Sequence, residues 1–188
     1  MIKRVLLFTC VCTLAVLSTS AQTFRNKLFP SNEISGEEFK KQAINKIQSL
    51  QNYLEVLVKN DQNTSKTAKN AAVENAVRLF SDENRIVEVN STSRPKPRKL
   101  KVRQYLVKLA FLSEKVYDKV TIRFYDVFFI SNFKKRPDGK YEAVVSMSQK
   151  FTGEGDRPYS DVVQKNIQII LVPIQKPEGT YYEVKLGD

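Results

Sequence analysis

The pattern of apolar residues divides the chain into a helical half and a strand half. After a polar stretch that ends near residue 34, apolar side chains recur at steps of three or four up to about Lys59, as on one face of a helix. The members of this stripe are Phe39, Ala43, Ile47, Leu50, Leu54 and Leu57. Ser35 and Glu38 have the spacing of a capping box, whose side chains accept hydrogen bonds from free backbone N–H groups at a helix start. The pattern predicts a long first helix.

Two shorter helices are predicted after the first one. The segment SKTAKNAAVENAVRLF at 65–80 is rich in alanine, which favours helix and allows close packing against a neighbouring helix. A turn and a short strand containing Ile86, Val87 and Val89 come next. The helical period then returns between about Lys101 and Lys115. Its apolar positions are Val102, Leu106, Leu109, Ala110 and Leu112.

From Lys119 onward the apolar period changes from three or four to two. KVTIRFYDVFFISNF at 119–133 predicts a long strand, and the Pro-Asp-Gly sequence at 137–139 predicts a hairpin turn. The return strand alternates one set of residues, Tyr141, Ala143, Val145, Met147, Gln149 and Phe151, against a more polar set. Two more strands end the chain. Four antiparallel strands after three helices predict an α+β fold.

The amino terminus has the features of a secretory signal. Lys3 and Arg4 precede an apolar run from Val5 to Leu17, and small residues follow up to Ala21, where cleavage is expected. The apolar run is shorter than the roughly 20 residues that a membrane-spanning helix needs. The predicted organisation is a signal peptide at 1–21, a flexible lead-in at 22–34 and a single domain at 35–188. We therefore expect an exported protein, periplasmic or secreted, with no transmembrane span in the mature chain.

The chemistry open to the mature domain is limited by its composition. Cys10 and Cys12 are the two cysteines, and both lie in the signal, while the chain has no histidine. Disulfides, thiolate chemistry and the commonest general base near neutral pH are therefore not expected. No metal and no cofactor are predicted.

Positive charge is concentrated in one tract before the third helix. The formal charge is +11 for the whole chain. Six cations follow one another without an acidic residue between them: Arg94, Lys96, Arg98, Lys99, Lys101 and Arg103. The tract is either a solvated connector or a basic rim that binds an acidic protein or an envelope surface. Nucleic acid is not an expected partner, because no aromatic residue for base stacking interrupts the tract and the protein is exported.

The order of these elements resembles the cone-shaped nuclear transport factor 2-like superfamily. The likeness rests on helix, helix, short strand and helix, followed by FTGEGD at 151–156 and strands ending in KNIQIILVPI and YYEVKLGD. It is similar to exported members from Bacteroidota. The resemblance implies a curved sheet wrapped over the first helix and an apolar pocket. Relatives can carry a further domain, whereas this chain stops at Asp188, and a short last strand puts the pairing of that sheet edge in question.

Three functional hypotheses follow, and they differ in what they require of the pocket. The first is a non-catalytic domain that binds a small apolar ligand or an acidic partner. The second is an isomerase or lyase in which Asp126, desolvated in an apolar strand, acts as base and Tyr105 donates its hydroxyl to an oxyanion. Asp126 has an alternative interpretation on the solvated face of the sheet or at a bulge. The third hypothesis is a structural component of an envelope assembly. A homodimer through the open sheet face is also expected.

Overall fold

Three helices and eight strands make up the computed structural model, which describes residues 33–34, 36–60, 64–89 and 95–187. The helices are α1 (Glu37–Val58), α2 (Lys66–Arg78) and α3 (Val102–Lys115). The strands are β1 (Glu33–Ile34), β2 (Ile86–Val89), β3 (Arg98–Lys101), β4 (Lys119–Phe129), β5 (Phe133–Lys135), β6 (Tyr141–Glu154), β7 (Tyr159–Lys176) and β8 (Gly179–Leu186). The predicted signal peptide at 1–21 lies outside the described residues. Of the predicted lead-in at 22–34, only the last two residues are described, and they form β1.

Helix α1 buries the stripe that its sequence predicts. All six apolar residues of that stripe are buried against the sheet and the other helices. The helix starts one residue later than a cap at Ser35 requires, because its N-cap is Gly36, which has no side chain to close a capping box. Ser35 itself lies outside the described residues. Each fully buried leucine in the stripe contributes about 1.5–3 kcal/mol through removal of apolar surface from water.

The two shorter helices pack against α1, and polar contacts near their ends accompany this packing. Ser65 caps α2, since its hydroxyl oxygen accepts a hydrogen bond from the Ala68 N–H at 3.1 Å. The Ser113 hydroxyl of α3 donates to the Ala110 carbonyl of its own helix at 2.9 Å and lies 3.3 Å from the Leu57 carbonyl at the end of α1. The carboxyl end of α3 therefore lies beside the carboxyl end of α1.

The main sheet has more strands than the four that the sequence predicts. Its six strands run in the order β1, β5, β6, β7, β8, with β4 also paired to β6. The predicted long strand at 119–133 is divided, because the backbone turns after Phe129 and resumes pairing at Phe133. Ser131 holds this turn against β6, since its hydroxyl accepts the Val144 N–H at 2.9 Å. Strands β4 and β5 therefore lie end to end along the same edge of β6.

The hairpin that joins β5 to β6 turns as its sequence predicts. Gly139 has a φ of +80°, a conformation that glycine adopts without a steric cost. Its N–H donates to the Arg136 carbonyl at 3.0 Å. Along β6, the predicted inward residues from Tyr141 to Gln149 are buried, whereas Phe151 is partly buried and Ser146 of the opposite set is buried as well.

Part of the basic tract is itself a strand. Arg98–Lys101 (β3) pairs antiparallel with β2, and Ile86 lies opposite Lys101. This two-stranded sheet is separate from the main one. The tract is therefore not merely a connector before α3.

Within the part of the chain that the structure describes, no helix is long and apolar enough to cross a membrane.

Candidate binding cavity

A cavity of about 610 Å³ lies between the helices, the β2–β3 hairpin and the concave face of the main sheet. Its lining residues come from α1 (Leu50, Leu54), the segment before and within the hairpin (Phe80, Ile86, Val87, Glu88, Val89, Lys99), α3 (Val102, Tyr105, Leu106), β6 and β7 (Gln149, Gln164, Lys165, Asn166, Ile167) and the last turn (Gly187). Small-molecule sites in proteins commonly have volumes of about 300–1,000 Å³. The cavity is therefore large enough for a small organic molecule.

The inner wall of the cavity is apolar. Leu50 and Leu54 project from α1, and Val102 and Leu106 project from α3, and all four are buried. They are neighbours because positions four apart lie on the same helix face. A ligand in contact with this wall would gain affinity mainly by removal of apolar surface from water.

A tyrosine and a glutamine form the polar part of the inner wall. The Gln149 side-chain amide donates to the Tyr105 hydroxyl oxygen at 3.4 Å. Burial raises the pKa of the Tyr105 hydroxyl, and the hydrogen bond from Gln149 opposes part of that shift. Tyr105 is therefore neutral near pH 7, and its own O–H proton can be donated to a ligand.

Three charged side chains, Glu88, Lys99 and Lys165, line the cavity where the hairpin meets β7. The Lys99 ammonium and the Glu88 carboxylate are 3.5 Å apart, but both side chains are more than half exposed, so this ion pair contributes little to stability. The Lys165 ammonium donates to the Glu88 backbone carbonyl at 2.8 Å. Desolvation lowers the pKa of Lys165, and the Glu88 carboxylate opposes part of that shift.

Asp126 is not part of the cavity. It lies at a break in the β4–β6 register between Tyr125 and Phe128, with a φ of +52°, and its side chain is exposed. A position at a bulge is part of the alternative interpretation of Asp126 given above. The structure therefore does not bring Asp126 and Tyr105 together, as the isomerase or lyase hypothesis requires.

The six cations of the basic tract have different surroundings. Lys99 lines the cavity, Lys101 donates to the Asn84 side chain at 3.0 Å, and Arg103 binds Glu74 through two hydrogen bonds, the longer of them 2.9 Å. Lys96 and Arg98 are exposed. Arg94 lies outside the described residues. Two of the cations, Lys99 and Arg103, are therefore already paired with carboxylates of this chain.

Sequence reasoning did not single out Gln149 and Lys165 as site residues. A signal was present for Gln149, because it is the polar member of the alternating set that packs against the helices. Lys165 lies directly opposite Met147 of that set, so it shares the concave face. Its position depends on the pairing register of β6 and β7, which local sequence does not reveal.

Among the described residues, no group of three or more acidic side chains is placed to bind a metal ion.

Comparisons with known proteins find similarity among solved structures. No family model matches the chain, and no curated protein matches it. A scytalone dehydratase-like protein from Novosphingobium aromaticivorans has a TM-score of 0.37 and 11% identity over 78% of this chain and 82% of its own. Aln2 from a Streptomyces species has a TM-score of 0.41 and 9% identity over 82% and 94% of the two chains. A phenazine biosynthesis-related protein from Pseudomonas aeruginosa has a TM-score of 0.36 and 10% identity over 85% and 83%.

The class of fold is nevertheless plain from the architecture. Three helices pack on a curved, antiparallel sheet, with α1 across its concave face. The predicted α+β fold, with three helices packed on a curved, mainly antiparallel sheet, is therefore confirmed, with six strands in the main sheet instead of four. The fold alone does not assign a ligand or a reaction.

Proposed function

We propose that this domain binds a small, mainly apolar molecule in the cavity, with Tyr105 and Gln149 contacting one hydrogen-bonding group of that molecule. The observation that carries the proposal is the combination of a leucine-lined wall and one adjacent hydroxyl and amide pair in a cavity of about 610 Å³. Sites of this composition bind by apolar burial and use a few polar groups to orient the ligand.

Binding without turnover is supported by the position of the carboxylates. A general base must lie within hydrogen-bonding reach of the proton that it removes. Asp126 is exposed and outside the lining, and the lining carboxylate, Glu88, has a largely exposed side chain that faces Lys99. Neither has the desolvated environment beside Tyr105 on which the isomerase or lyase hypothesis depends.

Export and the basic rim belong to the same proposal. The signal at 1–21 would deliver the domain to the periplasm or the medium, where it would meet its ligand. Lys96 and Arg98 are exposed at the start of β3, where they could contact an acidic protein or an envelope surface. A role as a structural component of an envelope assembly would use this rim and leave the cavity empty.

A fluorescence titration tests the cavity. N-phenyl-1-naphthylamine, an apolar dye with one N–H group, should bind with a saturable signal. Val87→Trp places a large side chain among the lining residues and should abolish binding, whereas Val107→Trp, on an exposed site of α3, should not change it. Circular dichroism would confirm that both variants are folded. Absence of saturable binding, or equal binding by Val87→Trp, would contradict the proposal.

A further inference from the structure

One edge of β7 has no neighbouring strand over half its length. Strand β6 pairs with β7 from Tyr159 to Leu171, but β8 covers the other edge only from Ile169 to Lys176. Beyond β8, one more hydrogen bond joins the Gly187 N–H to the Gln168 carbonyl at 2.6 Å. From residue 159 to 167, no described strand pairs with this second edge. Such an open edge is a template for another strand.

The backbone groups that point to the open edge can be assigned. The Gln168 carbonyl points to the β8 side. Because the backbone groups of alternate residues in a strand point the same way, the N–H and C=O groups of even-numbered residues 160–166 face the open edge. The pairing of β6 with its neighbours leads to the same assignment of backbone groups. The Val144 carbonyl accepts from the Ile130 N–H, so the backbone groups of even-numbered β6 residues point to the β4 side. The backbone groups of odd-numbered β6 residues therefore point to β7, and their partners in β7 are also odd-numbered.

Opposite charges lie symmetrically about Val163 along this edge. Asp161 is two residues before Val163 and Lys165 is two residues after it, and all three lie on one face, opposite Phe151, Gln149 and Met147. If two copies of the edge run antiparallel about Val163, each Asp161 lies directly opposite a Lys165. A two-fold axis at Asp161 or at Lys165 would instead set like charges against each other, which is unfavourable.

The backbone pattern fits the same axis. Pairing about Val163 sets Val162 opposite Gln164, and Ser160 opposite Asn166. These four residues carry the edge-facing N–H and C=O groups, so each pair can exchange hydrogen bonds. Val163, Asp161 and Lys165 then occupy the pairs in which facing side chains are closest.

We propose that residues 159–167 of β7 pair with the same residues of a second copy of this chain, forming a two-fold homodimer centred on Val163. The sheets of the two copies become continuous. The Asp161 carboxylate, which is buried and already accepts the Tyr159 hydroxyl at 2.7 Å, accepts a further hydrogen bond from Lys165 of the other copy. The Glu88 carbonyl uses one N–H of the Lys165 ammonium, which has three donors, so Lys165 can bind both groups. The interface uses the sheet edge, whereas the sequence suggested the sheet face.

Charge-reversed variants test this pairing by sedimentation velocity at low salt. Wild type should dimerise, and Asp161→Lys and Lys165→Asp should each raise the dimer Kd by about tenfold or more, because like charges then face each other. An equimolar mixture of the two variants should form a heterodimer, since every facing pair in it has opposite charge. The double variant should also recover the dimer. Lys108→Asp, at an exposed site of α3, is the matched control and should leave the Kd unchanged.

Val162→Pro provides a test that does not depend on charge. Proline removes an N–H that faces the open edge, so the β6–β7 ladder is retained while the dimer is lost. Circular dichroism would establish that each variant is folded. A wild-type protein that stays monomeric at its highest soluble concentration would overturn the proposal. So would a dimer that survives Val162→Pro or a mixture of charge variants that stays monomeric.

Discussion

The side-chain amide of Gln149 donates to the hydroxyl oxygen of Tyr105 at 3.4 Å, which connects the middle of β6 to the first half of α3. The hydroxyl is protonated near pH 7, and burial raises the Tyr105 pKa further above its ordinary value of 10. The pair therefore presents a hydroxyl donor and an amide oxygen acceptor beside an apolar wall. This arrangement can orient a neutral ligand, and it does not require an ionised group in the inner cavity.

Replacing Tyr105 by phenylalanine should weaken binding while the cavity keeps its shape. Tyr105→Phe removes one hydrogen-bonding group, so the affinity for N-phenyl-1-naphthylamine should fall about three- to tenfold. The measurement is a fluorescence titration of the two proteins under the same conditions. Tyr125→Phe, at an exposed site on β4, is the matched control and should bind the dye as wild type does. Equal affinities for all three proteins would show that the Tyr105 hydroxyl does not contact the dye.

Substitutions at Asp126 should change the free energy of unfolding according to the backbone conformation that the new residue prefers. They should not change binding in the cavity. The left-handed φ of +52° suits glycine and disfavours a β-branched residue. The free energy of unfolding should stay within about 1 kcal/mol of wild type for Asp126→Gly and fall by about 1–2 kcal/mol for Asp126→Val. Chemical denaturation measures both values. Dye affinity should be unchanged in Asp126→Gly, and a loss of binding there would restore Asp126 as a site residue.

The helices and the inward face of β6 could be predicted because their signals are local. The spacing that places Leu50 and Leu54 on one face of α1 is visible within a few turns of sequence, and so is the alternation that places Gln149 inward. Each apolar set can be buried in only one way once the element type is known. These two elements supply much of the cavity wall.

Other features depend on pairing between distant segments. The break after Phe129 and the register shift at Asp126 are properties of how β4 pairs with β6, and the apolar and aromatic residues around them are those of an unbroken strand. The strand at Arg98–Lys101 forms against β2, although its composition is typical of an exposed tract. Lys165 joins the cavity through the β6–β7 register. Local propensity does not contain this information.

The ion pair between Arg103 and Glu74 predicts a specific pH dependence. The hydrogen bond from Arg103 lowers the Glu74 pKa below its ordinary value of 4.5. A carboxylate with a lowered pKa in the folded state stabilises the protein above its unfolded pKa, and that stability is lost as the pH falls through the folded pKa. Wild type should therefore be more stable than Glu74→Gln at pH 6. The difference should shrink as the pH falls below 4.5 and disappear once the pH is below the lowered pKa of folded Glu74.

Thermal unfolding of wild type and Glu74→Gln across this pH range measures the effect. About half of each side chain is exposed, so added salt should reduce the difference. A difference that persists unchanged at the lowest pH would show that the pair does not cause it.

Processing at the amino terminus should follow the predicted signal. Expression of the full chain in a secreting bacterial host should yield an exported protein whose intact mass matches a chain that begins at Gln22. Replacing Ala21 by arginine should block cleavage, because the signal peptidase requires a small residue at that position. Intact-mass analysis of the exported and the cell-retained fractions distinguishes the outcomes. An exported protein that retains Met1 in the wild-type chain would contradict the prediction.

The central claim, that the cavity holds a small molecule, is tested most directly by native mass spectrometry of the protein purified from its own host. Wild type should carry a small organic molecule that is released on denaturation, and Val87→Trp, purified in the same way, should not carry it. The same spectrum recorded for Val107→Trp should match wild type. A bare chain in all three samples, together with no saturable binding of the dye, would contradict the account.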